Sequence, residues 1–229
     1  MPAWGLLPFQ GGPMNSGLKR FIRQKRQWTE PLDPEDIQKG FRGWHGSKYL
    51  PHFDAPGVEQ FITYRLGDSL PRECRGEWEA FLHLEDDLER QRKIQMYLDR
   101  GRGACHLRKP KVADLVQENL RHSDGRRYRL CAWVVMPNHV HALAEIWQTP
   151  MEKLLHSWKS YTAKQANTLL GQTGMFWAED YFDRFIRDAA HFARVVRYIE
   201  HNPVKAGLVR SPEEWPWSSA YYRLHNRSQ

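Results

Sequence analysis

Cysteine is scarce: Cys74, Cys105 and Cys131 are the only three, widely spaced and without a CxxC pair. That argues against a disulfide framework or a zinc ribbon and fits a reducing cytoplasm. Long apolar runs are missing too. The longest, Leu130 to Met136, is far short of the roughly 20 residues a bilayer-spanning helix needs. At the N-terminus the apolar Trp4 to Phe9 precedes the basic Lys19 to Arg26, the reverse of a secretory signal, so neither export nor membrane attachment is expected. Internal repeats and low-complexity segments are also lacking. Acidic residues run short, 27 against 34 Lys and Arg, leaving a formal charge of +7 and a pI near 9.4. This balance favours a polyanionic partner, although a merely basic soluble protein would share it.

What is present is enough to fold. With 229 residues, 41% hydrophobic, and 10 Trp, 9 Tyr and 10 Phe, the chain can fill one main core and is not disordered throughout. Residues 1 to about 57 carry Pro, Gly, isolated aromatics and the cluster Lys19, Arg20, Arg23, Lys25 and Arg26 without sustained period, and read as an irregular basic arm. Its cations could contact phosphates or simply be solvated.

From Val58 the pattern tightens. Phe61 to Leu66, closed by Gly67 and Pro71, reads as an opening strand. Residues 77 to 100 read as a charged helix with Phe81, Leu84, Leu88 and Leu98 inward, and 110 to 122 as a second helix on Val112, Leu115, Val116 and Leu120. Tyr128 to Met136 reads as a strand that turns at Pro137-Asn138 and returns antiparallel through His139 to Ile146. A third helix runs from Met151 to about Leu170, and Trp177 to Phe185 is a short strand or irregular segment. The last long helix opens with Asp188 as N-cap and is expected to end against Pro203. The tail, with Pro212, Trp215, Pro216 and Trp217, reads as an extended strap pinned by tryptophans.

Chemistry concentrates at His139 and His141. Side chains alternate along a strand, so the two imidazoles face the same way, while Val140, Ala142 and Ala144 face the other. Such a pair is half a metal site, and taken alone is more often two ordinary polar residues. In the last helix, Phe192, Val195, Val196 and Ile199 form the core stripe. Tyr198 lies off it, with His191, Arg194, His201 and Asn202. Tyr198 and Asn202, four apart, bring a phenol and a carboxamide to one line of the helix. Tyr161, the rival tyrosine, sits at the margin of an apolar stripe where packing accounts for it. His45, His52, His83, His106, His122 and His156 have no ligand spacing.

The combination Pro137-Asn138-His139-Val140-His141 with Tyr198-Ile199-Glu200-His201-Asn202-Pro203-Val204-Lys205-Ala206-Gly207 resembles the single-tyrosine HUH transposases, and most of all their REP-associated tyrosine branch. Trp177 to Arg187 and Trp215-Pro216-Trp217-Ser218-Ser219 fit the same layout, so the likeness covers about residues 41 to 221. It implies a ferredoxin-like α+β domain over 58–221 with a central antiparallel sheet, a helical insertion at about 72–125, and a tail at 222–229. It further implies that His139 and His141, with Asn202 as third ligand, hold Mg²⁺ or Mn²⁺ and that Tyr198 is the nucleophile. The substrate would be hairpin-forming, REP-like single-stranded DNA, cut and rejoined through a 5′-phosphotyrosine by a cytoplasmic monomer or homodimer that associates with the nucleoid when bound.

Lys159, Arg184 and Arg194 are candidates to hold the DNA backbone, with spare aromatics to stack unpaired bases. The longer insertion and N-terminal arm leave DNA selection and oligomeric state open. Two other readings compete. One is a catalytically idle hairpin-binding regulator. The other is a metal-dependent hydrolase with Glu145 as its only acidic neighbour, which ranks last.

Overall fold

In a computed structural model the described residues are 31–46, 51–70 and 87–225, with positions 73, 76 and 80. The basic cluster at 19–26, and Phe81 and Leu84, lie outside them. The elements in chain order are α1 (Pro34–Lys39), β1 (Gly43–Gly46), β2 (Pro51–Asp54), β3 (Val58–Arg65), α2 (Asp87–Asp99), α3 (Pro110–His122), β4 (Tyr128–Val135), β5 (His139–Ile146), α4 (Met151–Leu170), β6 (Phe182–Phe185), α5 (Ala189–Lys205) and α6 (Ser219–His225). The class is α+β, as expected. β3, β4, β5 and β6 form an antiparallel sheet in the order β4-β5-β3-β6, with β5 paired to β3 and to β4, and β6 to β3. The run β3-α3-β4-β5-α4-β6 is the βαββαβ pattern of ferredoxin-like domains.

The sheet divides two cores. On one face, Ile62, Tyr64, Val140, Ala142, Ala144 and Ile146 pack against Val112 and Val116 of α3 and Leu154, Leu155 and Trp158 of α4. On the other, Ala132, Val134 and Leu143 pack against Val195 and Ile199 of α5, with Met136, Ile186 and Trp215. The period-2 alternation of β5 thus assigns one face to a structural core and leaves the other to its histidines. α4 stops at Gly171, whose φ of 65° is a left-handed cap few other residues adopt readily.

Two details differ from the sequence expectation. Residues 34–46 and 51–54, read as part of an irregular arm, form α1 and the antiparallel ribbon β1-β2. These elements are short, four to six residues, too few to show a period. Within the stretch 77–100, the described helix Asp87–Asp99 agrees with the expectation. α5 does not end before Pro203 but contains it and runs to Lys205. A proline there removes one backbone donor, while the last turn still closes, since Ala206 N donates to Asn202 O at 3.0 Å and Leu208 N to Pro203 O at 2.9 Å.

The tail behaves as a strap. Trp215 Nε1 donates to Val135 O at 2.9 Å, and Trp217 Nε1 to Asp114 Oδ1 of α3 at 2.8 Å. Val135 N donates to Trp217 O at 2.9 Å, Trp133 N to Ser219 Oγ at 3.2 Å, and Val134 forms a β-bridge with Ser218.

Candidate active site

β5 presents His139 and His141 from its start, both buried, their Nε2 atoms 3.1 Å apart. Their Nδ1 atoms are held by neighbours. His139 Nδ1 lies 2.8 Å from Asn138 Oδ1, and that amide is oriented by its Nδ2 donating to Arg102 O at 3.1 Å. His139 therefore carries its proton on Nδ1 and leaves the Nε2 lone pair open. His141 Nδ1 lies 2.7 Å from Thr63 Oγ1, its cross-strand partner on β3. A hydroxyl both donates and accepts, so Thr63 serves either tautomer of His141. With no ion, His141 Nε2–H donates to His139 Nε2; with the proton moved to Nδ1, both Nε2 lone pairs face one point.

Burial keeps both rings neutral. It lowers the pKa of His139 to about 4, slightly opposed by the Asp99 charge. It also drives that of His141 well below the usual range, helped by His139 and Lys205. Neutral imidazole is the ligand form.

α5 brings Tyr198 to this pair. Its ring centroid is 5.6 Å from that of His141 and 5.8 Å, edge-on, from that of Phe61 on β3. Burial raises the phenol pKa strongly, the Asp99 charge adds to this, and the Asn202 carboxamide beside it acts in the opposite direction. The helix face expected to be polar and open is in part packed down: His191 and Asn202 are buried, while Arg194 and His201 face solvent. Asn202 is 1% exposed, yet neither of its polar side-chain atoms makes a hydrogen bond. Such orphaned groups are costly unless something absent from the chain satisfies them.

These residues fit a divalent cation. Two neutral nitrogens 3.1 Å apart can both reach one ion at roughly 2.1 Å. No three His, Cys, Asp or Glu side chains converge among the described residues, so a third protein ligand would be an amide such as Asn202. Glu145 lies four residues along β5 from His141 and is engaged by Arg129 at 2.6 Å.

The expected cations divide between the two faces. Arg184 of β6 pairs across the strands with Phe61, on the histidine face, and Arg184, Arg187 and Arg194 all act on the charge of His191. Lys159 belongs to α4, which packs on the opposite face, and donates to Glu179 O at 2.8 Å. Tyr161, 52% exposed on α4, is likewise remote from the histidines. Sequence reasoning missed Thr63, which needed the β3–β5 register, and Asp99 with Lys205. Lys205 Nζ lies 2.9 Å from Asp99 Oδ2 and 6.0 Å from the Tyr198 ring centroid. Lys205 had a signal, three residues after Asn202 and seven after Tyr198 on one helix line.

The site is thus a strand-borne histidine pair and a helix-borne tyrosine on one face of an antiparallel sheet. The family model described as "Transposase IS200 like" matches residues 108–202, a span holding both histidines, Tyr198 and Asn202. The chain is 31% identical over 96 residues to the REP-associated tyrosine transposase of Escherichia coli K12, covering 41% of this chain and 55% of the relative. The resemblance read from the sequence is thereby borne out, although the match spans only about half the relative's length. A solved REP-associated tyrosine transposase bound to a REP hairpin is similar at 18% identity and TM-score 0.48, over 80% of this chain and 87% of that one.

Proposed function

We propose that this chain cuts and rejoins single-stranded, hairpin-forming DNA through a covalent bond to Tyr198. The observation that carries the reading is the Tyr198 ring beside that of His141, whose Nε2 converges with that of His139, with the unsatisfied carboxamide of Asn202 one helical turn away. His139, His141 and Asn202 would hold Mg²⁺ or Mn²⁺, which supplies Lewis-acid stabilisation of charge on a phosphate oxygen. The protein's own part is to aim and to desolvate. Thr63 and Asn138 fix the imidazoles, and Phe61 packs edge-on against the phenol ring. In the reaction the Tyr198 oxygen forms a bond to phosphorus and loses its proton, while the P–O3′ bond breaks and the departing oxygen takes up a proton. One phosphodiester replaces another, so the step runs backwards equally well and rejoins strands without ATP.

Arg184 and Arg194 hold the backbone on this face. The partner is REP-like palindromic DNA, and the work is done in the cytoplasm at the nucleoid by a monomer or homodimer.

The test is retention of labelled DNA on denatured protein after incubation with a pool of single-stranded hairpins and Mn²⁺. Tyr198→Phe is expected to abolish the adduct while leaving hairpin affinity within about threefold, and Tyr161→Phe to form it normally. An adduct that survives Tyr198→Phe sinks the assignment.

A further inference from the structure

α2 ends at Asp99, and that carboxylate is aimed into the site. Gln95 Nε2, one turn earlier, donates to Asp99 Oδ1 at 2.6 Å, leaving Oδ2 for Lys205 Nζ at 2.9 Å. The helix end is anchored: Tyr97 is buried under Arg100 and Arg102, and Arg102 O accepts from the Asn138 amide that orients His139. Asp99 is itself largely buried, its side chain 14% exposed against 53% for Lys205. Its negative charge reaches both His139 and Tyr198, and the positive charge of Lys205 reaches His141. An anion thus stands among the imidazoles, the phenol and a lysine, in a site otherwise built for the anionic backbone of DNA.

Resting on the reading of this site as a DNA-cleaving one, we propose that Lys205 is a DNA phosphate contact beside the scissile position and that Asp99 is its placeholder, displaced when the phosphate arrives. Tyr198, Asn202 and Lys205 lie at i, i+4 and i+7, so nucleophile, amide and cation share one line of α5. A phosphate entering beside Tyr198 meets repulsion from Asp99 and attraction from Lys205. The attraction is satisfied when Lys205 exchanges one oxyanion for the other, and the repulsion ends as the Asp99 carboxylate turns away. The exchange is easy because Lys205 is half in solvent, where ion pairs hold weakly. Only the Asp99 side chain need swing away, so the anchored helix end keeps orienting Asn138 and His139.

The experiment uses the full chain with Asp99→Asn, Lys205→Ala, Lys205→Arg and the double variant Asp99→Asn/Lys205→Ala. Affinity for a single-stranded hairpin pool is measured against salt, and adduct formation against DNA concentration. Asp99→Asn should tighten binding several-fold and act mainly on KM. Lys205→Ala should slow adduct formation at least tenfold and reduce the salt slope by about 0.7, the value of one single-strand phosphate contact. Lys205→Arg should restore most of both, and the double variant should resemble Lys205→Ala because Asp99 acts through the lysine. Unchanged salt slope in Lys205→Ala, or weaker binding by a folded Asp99→Asn, overturns the proposal. If Asp99→Asn does not fold, the lysine slopes decide alone. If wild type forms no adduct with any hairpin, the cleavage reading falls while the slopes still judge the phosphate contact.

Discussion

Thr63 shows how one hydroxyl can govern a metal-ready pair. Its oxygen, 2.7 Å from His141 Nδ1, accepts the proton the ring must move there when both Nε2 lone pairs are needed. Thr63→Val keeps the shape and removes that acceptor, so Mn²⁺ affinity, measured by calorimetry, should fall about tenfold. Thr63→Ser should retain it. The histidines also tie folding to pH. In the unfolded chain His139 takes up its proton near pH 6.5, as an ordinary imidazole does, whereas in the folded chain it resists down to about 4. Between these values the unfolded state binds more protons, so stability is full above about pH 6.5 and declines as pH falls toward 4. The contribution of His139 is on the order of 3 kcal/mol. Thermal melts from pH 7 to pH 4 should show this loss, and His139→Asn should flatten it. An equally steep decline in the variant would remove the histidine from the account.

At the scale of elements, the sheet decides which cations can serve the site. β6 and α5 carry Arg184 and Arg194 to the histidine face, while α4 carries Lys159 to the other. Arg194→Ala should therefore weaken single-stranded DNA binding several-fold, and Lys159→Met should leave it within about twofold; equal losses in a filter-binding assay would contradict the division.

The strands β3, β4 and β5 and helices α3 and α4 were legible in the sequence because each repeats its period long enough to show it, and the β5 alternation put His139 and His141 on one face. The ribbon β1-β2 was too short to announce itself. Pro203 misled about the end of α5 because a local rule yields when the following residues close the last turn. Thr63 and Asp99 were invisible for a different reason. Each meets the site through a pairing between segments far apart in the chain, and no spacing along the sequence encodes that. Lys159 was assigned by its charge alone, which carries no information about faces.

Taken whole, the molecule is a sheet with a core on each face, and on one of them the histidine pair shares that face with the core under α5. Its two outer strands are both occupied. β6 is covered by the ribbon, where the Phe53 and Phe185 rings pack at a tilt, 5.3 Å apart, and β4 is covered by the tail, which takes the outward N–H groups of Trp133 and Val135. An uncovered strand of this composition, Tyr128 to Val135, is an open template on which another copy could add its own strand. The strap is thus a guard against polymerisation as much as a brace. A chain cut after Glu214 should retain the histidine pair yet associate as its concentration rises, with a growing light-scattering signal and exposed β4 amides that exchange quickly in the monomer. The intact protein should remain dispersed under the same conditions.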